Sequence, residues 1–593
     1  MSGLRKAVCL TLAGDSKRLS THGKARDAAA CARRRRCSAA GEARCKATRG
    51  APHLLRPALW RTMLAMTQWS NPVALPQRVI ERVRRVLEFH QLTRYTPESL
   101  RARGPAIDFD DQPSPYLVFP ERRPVELPRD PVMPQADALD VMRYGPDTLP
   151  EGLKHPPADT KTLASWLALS AGFTGRSGAG PNAVHLRSCP SAGALYPFEI
   201  YIAAFAVDGL EPGLYHFSPA TFALCPLRDG PQTLERMLRG RPDLHLLKTC
   251  PAALLISTVF WRTCWKYGRR GYRYCLLDAG HLVENVIAAG AGLGIPTLTR
   301  LRVSDSAMRE LIGMPADADF GTVEAVQAMI IWADRCQHAF KPGAGGVLPP
   351  LKRVPLSSKV VDYPEVRAAH QDCVAPGVAV TELRPPLTEM TIIESQLPKV
   401  PVAAADPESG LPLGQVLLKR RSADRFSGDP VPHRQFMELN WLSFRTGTFW
   451  PMRPAGPHVA CIRPMWLVHN VENLQSGIWY YDPVADGWSL LREGDFREAG
   501  RKLCLGQDIC AQAAALCFMF ANHAALMNGA GPDAYRLAHL EAGLIGQRMY
   551  IAATAMKLGC RAIGAFYDEE IRRFFGLAQT GWDIVYVMTV GRV

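Results

Sequence analysis

Three short stretches of this 593-residue chain bring together side chains that could do chemistry. Arg420-Arg421-Ser422, followed by Arg425, offers three guanidinium forks and a hydroxyl. That donor set suits a phosphate, and it is also what a solvated charge run looks like. Pro190-Ser191-Ala192-Gly193-Ala194-Leu195, within Arg187–Pro197, packs small residues between two prolines just before the apolar run Phe198–Phe205. Small residues let backbone approach a flat ligand closely, and they equally make a tight turn into a buried strand. Lys266-Tyr267 sets an ammonium beside a phenol, expected at the start of a helix. Suitably buried, the pair can move a proton; otherwise it is an exposed lysine beside a packing tyrosine.

The elements that must position these residues follow from periodicity. Apolar residues at helical spacing predict a helix from residue 77 towards 100 and another over 160–173. Strands are expected at 198–206, 213–217, 222–227 and 252–260, a long helix over 272–292, a shorter one over 304–313 and a strand at 323–332. Residues 104–134 read as a proline-rich extended arm, and 336–412 as a Pro-rich connector without a long periodic run. After it the pattern restarts. Gly213-Leu-Tyr-His-Phe is echoed by Gly477-Ile-Trp-Tyr-Tyr, 264 positions on. Tyr272-Arg-Tyr-Cys-Leu-Leu-Asp-Ala-Gly is echoed at Tyr535, and Arg309-Glu-Leu-Ile-Gly-Met at Arg572, each 263 positions on. Three matches in register mean a tandem duplication of one α+β unit, first copy 75–335 and second copy 413–593. One chain then supplies both subunits of a two-fold dimer.

The net charge of +15 resembles a nucleic-acid binder until it is located. Residues 1–62 hold fifteen Lys/Arg against Asp15, Asp27 and Glu42, so the body is nearly neutral and makes no electrostatic case for nucleic acid. That tail reads as a disordered basic arm, a transit-type segment or an over-extended start before Met63 or Met66, the last being favoured. No apolar run is long enough to span a membrane. The sixteen cysteines form no Cys-x-x-Cys pair, and no metal-ligand spacing is apparent. They read as small buried hydrophobes of a reducing, cytoplasmic compartment.

Three blocks carry a resemblance: Arg187–Pro197, Phe260–His281 with Lys266-Tyr267, and Lys419-Arg-Arg-Ser-Ala-Asp-Arg-Phe-Ser-Gly-Asp-Pro-Val-Pro. The chain resembles the FMN-dependent nitroreductase superfamily, and more closely the SagB/ThcOx-type dehydrogenases that oxidise azolines in ribosomal peptides. The resemblance implies an α+β nitroreductase-like fold, a mixed or antiparallel sheet flanked by helices, built as a single-chain pseudo-dimer. It implies FMN at the subunit interface, held by an arginine-serine block of one subunit and a Pro-Ser block of the other. Here position 156, 264 before Arg420, reads Pro156-Pro-Ala-Asp-Thr160, while the Pro-Ser block maps near Pro454-Ala-Gly-Pro457. Each half keeps what the other has lost, so one composite flavin site per chain is expected. By resemblance that site takes Arg420, Arg421, Ser422, Arg425, Gly564, Ala565, Phe566 and the terminal Arg592 from the second half, and Pro190, Ser191, Ala192, Gly193 and Leu195 from the first. Lys266/Tyr267 would be the acid/base pair for hydride transfer to flavin N5; their counterparts 263 on are Gly529 and Ala530. Asp278 and His281 share a helix side and could interact, His281 reading as structural. Cys189 gains no role. The implied activity is azoline-to-azole oxidation on a peptide beside a cyclodehydratase partner. The rivals are an NAD(P)H-fed nitro-, quinone- or enone-reductase and a flavin-free scaffold.

Overall fold

The computed structural model describes residues 76–593, except 102–106, 179–182, 240–241, 304, 316, 335, 337–345, 347, 375–399, 402–409, 445–460 and 484–485. The basic tail and the Pro454–Pro457 stretch lie outside the described residues.

The strands are β1 (Val125–Glu126), β2 (Phe173–Ser177), β3 (Val184–Arg187), β4 (Phe198–Ala204), β5 (Gly213–Ser218), β6 (Ala223–Asp229), β7 (Ala252–Val259), β8 (Thr297–Arg300), β9 (Glu324–Trp332), β10 (Val400–Pro401), β11 (Arg463–Val468), β12 (Gly477–Asp482), β13 (Gly487–Glu493), β14 (Ala515–Asn522), β15 (Gly559–Ile563) and β16 (Trp582–Gly591). They form two seven-stranded sheets of the same order, β1-β6-β5-β4-β7-β9-β8 and β10-β13-β12-β11-β14-β16-β15, and a small β2-β3 ribbon. Every described pairing between these strands is antiparallel; the isolated bridges Asp159–Asp208 and Val431–Val471 are parallel. Even the irregularities repeat. The β5/β6 register shifts at Leu214/Tyr215 and the β12/β13 register at Ile478/Trp479; the β7/β9 shift at Ile256/Ser257 recurs at Met519/Phe520 in β14/β16. A bulge is a property of local sequence and twist, so its duplication marks one unit folded twice.

The helices that matter to the site are α1 (Gln77–Leu92), α2 (Thr160–Ala171), α3 (Phe260–Tyr267), α4 (Gly271–Gly292), α5 (Pro364–Val374), α6 (Leu413–Lys419), α7 (His523–Ala530) and α8 (Asp533–Ala555). Every residue of α4 is buried, and α8 is buried almost throughout. Among their buried charges Arg273 pairs with Asp568, Arg536 with Asp533 and Glu284 with Arg548, and the two helices form the centre of the molecule by crossing each other. The crossing sits at Gly280 and Gly543. A methyl on Gly280 would lie 2.1 Å from the Leu540 carbonyl oxygen, and one on Gly543 would lie 2.2 Å from that of Leu277. Only glycine permits that approach. Around the crossing, Arg273 of α4 donates to Ile584 O of β16 (3.0 Å), and Arg536 of α8 donates to Gln327 O of β9 (2.9 Å). Each half thus reaches into the other half's sheet.

Three expectations change. The helix expected from residue 77 towards 100 ends at Leu92, and Pro97–Arg101 forms a separate short helix. Residues 336–412 are not plain connector: α5 buries Val366, Ala369, His370 and Cys373, a short i, i+3, i+4, i+7 face that proline-rich flanks obscured in the sequence. It packs on α1, where Arg82 donates to Asp372 O (2.9 Å). The helix expected to begin at 272 is preceded by a separate one, α3, broken off by Gly268 at φ +58°. Among the described residues no helix is long and apolar enough to cross a membrane.

Candidate functional site

The Pro-Ser loop is held by a buried carboxylate. Ser191 Oγ donates to Asp278 Oδ2 (2.6 Å) and accepts from the Tyr196 N–H (2.9 Å), while Ala192 N–H donates to the same carboxylate (3.1 Å). Burial pushes the Asp278 carboxyl up to about 7, against the pull of the Ser191 and Ala192 donors. Gly193, Ala194 and Tyr196 all take left-handed φ values of +64°, +54° and +46°. Two of these residues carry a Cβ, so the loop is strained and the Asp278 clamp holds it there. Asp278 therefore does not pair with His281. That histidine turns across the pseudo-dimer to Tyr586 Oη (2.9 Å) and Gln547 Oε1 (3.2 Å), and burial drops its pKa to about 3. Leu195 is core, and burial pushes the Cys189 thiol up.

Lys266 and Tyr267 sit at the end of α3, not at the start of a helix as the sequence reading placed them. Both are half-buried, and both face the loop. A methyl on Gly193 would stand 2.7 Å from Tyr267 Oη and 3.2 Å from Lys266 Nζ. Tyr267 meets Tyr274 edge-on, with centroids 4.8 Å apart. Tyr274 in turn donates its hydroxyl to Gly564 O (2.7 Å), so the Gly564-Ala565-Phe566 loop of the second half is fastened to α4 of the first. Arg270 reinforces this from between the Tyr95 and Phe566 rings, 4.2 and 4.7 Å from their centroids. Its guanidinium donates to Gly564 O (3.2 Å) and pairs with buried Asp568 (2.6 Å). Burial alone would raise the Asp568 carboxyl, but Arg270 and Arg273 bring it below its ordinary value.

The arginine-serine block follows α6. Arg420, which closes that helix, is buried and donates to Ser188 O (2.9 Å) and Arg187 O (3.3 Å), directly behind the Pro-Ser loop. Its guanidinium clamps the two halves together. Arg421 is exposed and donates to Thr174 O of β2 (2.7 Å). Ser422 Oγ shares a hydrogen bond with Tyr550 Oη (2.8 Å), which also accepts from the Ala562 N–H (2.9 Å). Arg425 is exposed, and the Arg592 carbonyl accepts from Ser427 N–H (2.8 Å) beside it. Arg561 Nη1 donates to Ala423 O (2.9 Å).

Expected residues from both halves thus meet: the 188–193 loop with Arg420, Lys266/Tyr267 with Gly193, and Gly564 with Tyr274. One end of the arrangement presents arginines and a hydroxyl, and the other presents exposed Gly193 and half-buried Ala192, Gly564 and Ala565. Cations for a phosphate and thin backbone walls for a flat ring fit FMN. Sequence reasoning missed Tyr274, Tyr550 and Arg561. Asp278 was seen but matched with His281 and not with the Pro-Ser loop; its signal was positional, since Glu541, 263 on, is also buried, is also raised to about 7 by burial, and accepts from Cys461 N–H (2.7 Å).

Known proteins share this fold. A structure of a nitroreductase-type protein from Anabaena variabilis superposes on 86% of this chain and 99% of its own, with TM-score 0.67 at 24% identity, and shares its fold. A protein of Methanocaldococcus jannaschii named as a nitroreductase is 30% identical over 156 residues, 26% of this chain and 75% of its own length. The microcin B17-processing protein McbC of Escherichia coli is 30% identical over 125 residues, and the trifolitoxin-processing protein TfxB of Rhizobium leguminosarum is 26% identical over 133. This chain spans less than half of those two relatives, 46% and 36% of their lengths. The nitroreductase family pattern matches residues 159–329 and again 417–592, both copies of the duplicated unit. Two matches covering more than half of the chain, in a family of oxidoreductases that typically bind FMN, make this chain a tandem member of the nitroreductase family.

Proposed function

We propose that the chain is an FMN-dependent dehydrogenase that oxidises azolines to azoles in a ribosomally made peptide. The observation that supports it most is the convergence of Lys266 Nζ and Tyr267 Oη on Gly193, in a loop fixed by Asp278, with the second half's Gly564 fastened to Tyr274, the ring neighbour of Tyr267. Arg421, Ser422, Arg425 and Arg592 would hold the phosphate, Arg420 acting from behind the Pro-Ser loop. FMN supplies a two-electron acceptor for the hydride that leaves the heterocycle carbon. The proton lost from the neighbouring carbon goes to the Lys266/Tyr267 pair, which the α3 terminus positions against the loop. The likeness to peptide-processing relatives supports a peptide substrate, prepared by a cyclodehydratase partner. The likeness to the Methanocaldococcus jannaschii protein supports the second reading, a reductase of nitro compounds fed by NAD(P)H.

Purified chain, reconstituted with FMN, is assayed against an azoline-bearing peptide and against NAD(P)H with a nitroarene. Azole formation without rapid bleaching by NAD(P)H is expected. Rapid bleaching with nitroarene turnover selects the reductase, and absence of any flavin uptake selects the scaffold.

A further inference from the structure

Away from this site, three fully buried histidines come together: His90 of α1, His523 at the first turn of α7 and His539 of α8. One ligand atom from each lies within 4.8 Å of the other two. The hydrogen bonds around them fix which nitrogens face inwards. His539 Nδ1 must carry a proton to donate to Tyr535 O (2.9 Å), which leaves Nε2 with its lone pair. His90 Nδ1 is engaged by Tyr535 Oη (3.2 Å), again leaving Nε2. His90 Nε2, His539 Nε2 and both ring nitrogens of His523 are buried without a hydrogen-bond partner. Buried polar atoms are rarely left so, and each one calls for an account.

The duplication shows that the fold does not need this cluster. The equivalent of Tyr535 is Tyr272, and its hydroxyl meets His370 Nδ1 of α5 at 3.1 Å, as Tyr535 meets His90. But 263 positions before His523 stands Phe260, and before His539 stands Leu276, both buried. Phe260 packs edge-on against Tyr272 and His370, with centroids 5.3 and 5.2 Å away. One half fills the space with apolar side chains, and the other fills it with two more imidazoles.

We infer that His90, His523 and His539 form a structural site for a divalent transition-metal ion of the zinc class. Neutral imidazoles suit zinc, copper, nickel and cobalt, and a closed site needs a fourth ligand. The Asp583 carboxylate, 3.7 Å from His90 Nε2, stands nearest among the acidic groups described there. Arg94, Arg270 and Arg273 are the cations around the cluster, and each is already paired, Arg94 with Asp583 and the other two with Asp568. Tetrahedral zinc with Zn–N bonds of about 2.0–2.1 Å sets its nitrogens about 3.4 Å apart, so ligand atoms now within 4.8 Å of one another close by at most about 1.4 Å, a movement shared between two ring side chains. The tyrosine contacts to His90 and His539 are the outer-shell partners such ligands use. The ion ties α1 to the second half of the chain.

The full chain, stripped with a chelator, is titrated with Zn2+ and Co2+ beside the variant His523→Phe/His539→Leu, which copies the first half's packing. Wild type should take up one strong equivalent more than the variant, with affinity lowered at least about 100-fold in the variant, beyond what losing an outer-shell partner brings. Bound Co2+ should show the intense visible absorption of a low-coordinate site only in wild type. Equal uptake by both proteins, or none by either, overturns the assignment. X-ray absorption of the zinc-loaded wild type gives a test independent of any variant: nitrogen and oxygen scatterers support the site, and sulfur scatterers place the ion on cysteines and overturn it.

Discussion

The two halves share one backbone and differ at their edges, and the difference separates what a fold needs from what a reaction needs. At the centre the symmetry is kept. Gly280 meets Leu540 as Gly543 meets Leu277, and Asp278 and Glu541 each brace the chain entering a central strand. At the periphery it is lost. Lys266-Tyr267 faces Gly193 in the first half, where the second half has Gly529-Ala530. The second half follows α6 with Arg420–Arg425, where the matching first-half helix, Ala138–Tyr144, runs into Gly145-Pro146-Asp147-Thr148 without an arginine. Packing constrains both copies equally, because either glycine must clear the other helix. A reaction constrains one copy, because one complete constellation suffices.

Four experiments break or sharpen this contrast. The largest expected effect is catalytic: Lys266→Ala should lower turnover by about 10²–10⁴-fold while flavin content stays near wild type. Unchanged turnover would end the acid/base assignment. Next comes stoichiometry. Flavin absorbance per chain should give one FMN, and Arg421→Ala/Ser422→Ala should weaken its binding by roughly 10–100-fold, as expected for two charge-assisted or direct phosphate contacts. Two FMN per chain would mean that the halves are functionally equal after all.

A smaller effect tests the kept symmetry. Gly280→Ala and Gly543→Ala should each destabilise by about 1–3 kcal/mol, and by similar amounts, because each adds a methyl in front of the opposite carbonyl. A clear inequality in chemical denaturation would show that the crossing, too, has diverged. The smallest effect is a pH dependence. Asp278 and Glu541 titrate near 7 in the folded chain, above their ordinary values of 3.8 and 4.5. The folded state then binds protons more tightly than the unfolded state. Their contribution is full below about pH 4 and is lost as pH rises through about 7. Asp278→Asn with Glu541→Gln should flatten that part of the stability–pH curve, and an unchanged slope would assign it to other groups.

Much of the fold could be read in order along the chain. Strand alternation, the two long apolar helices and the 263-residue echo fix the duplicated unit, because period and spacing are local properties of sequence. Helices α3 and α5 escaped, for different reasons. α3 continues an apolar strand without a polar break, so the change of period is hidden in Val259-Phe260-Trp261. α5 is eleven residues long within proline-rich flanks. The site was half legible: residue types and the complementary loss between copies selected the arginine-serine, Pro-Ser and Lys-Tyr blocks. The Asp278 clamp, the Tyr274 bridge to Gly564 and the Tyr550 contact to Ser422 were not, because each joins residues distant in sequence through a single side chain.

By itself, then, the sequence determined that one α+β unit occurs twice and that each copy retains different polar blocks, since those facts depend only on spacing and composition. Tertiary structure alone decided that the blocks meet. Arg420 reaches the carbonyls of Arg187 and Ser188 across 232 and 233 residues, and three histidines from three helices share one buried space. The helix crossing at Gly280 and Gly543 sets the two halves face to face, and no periodicity along the chain encodes the distance between side chains on opposite sides of that crossing.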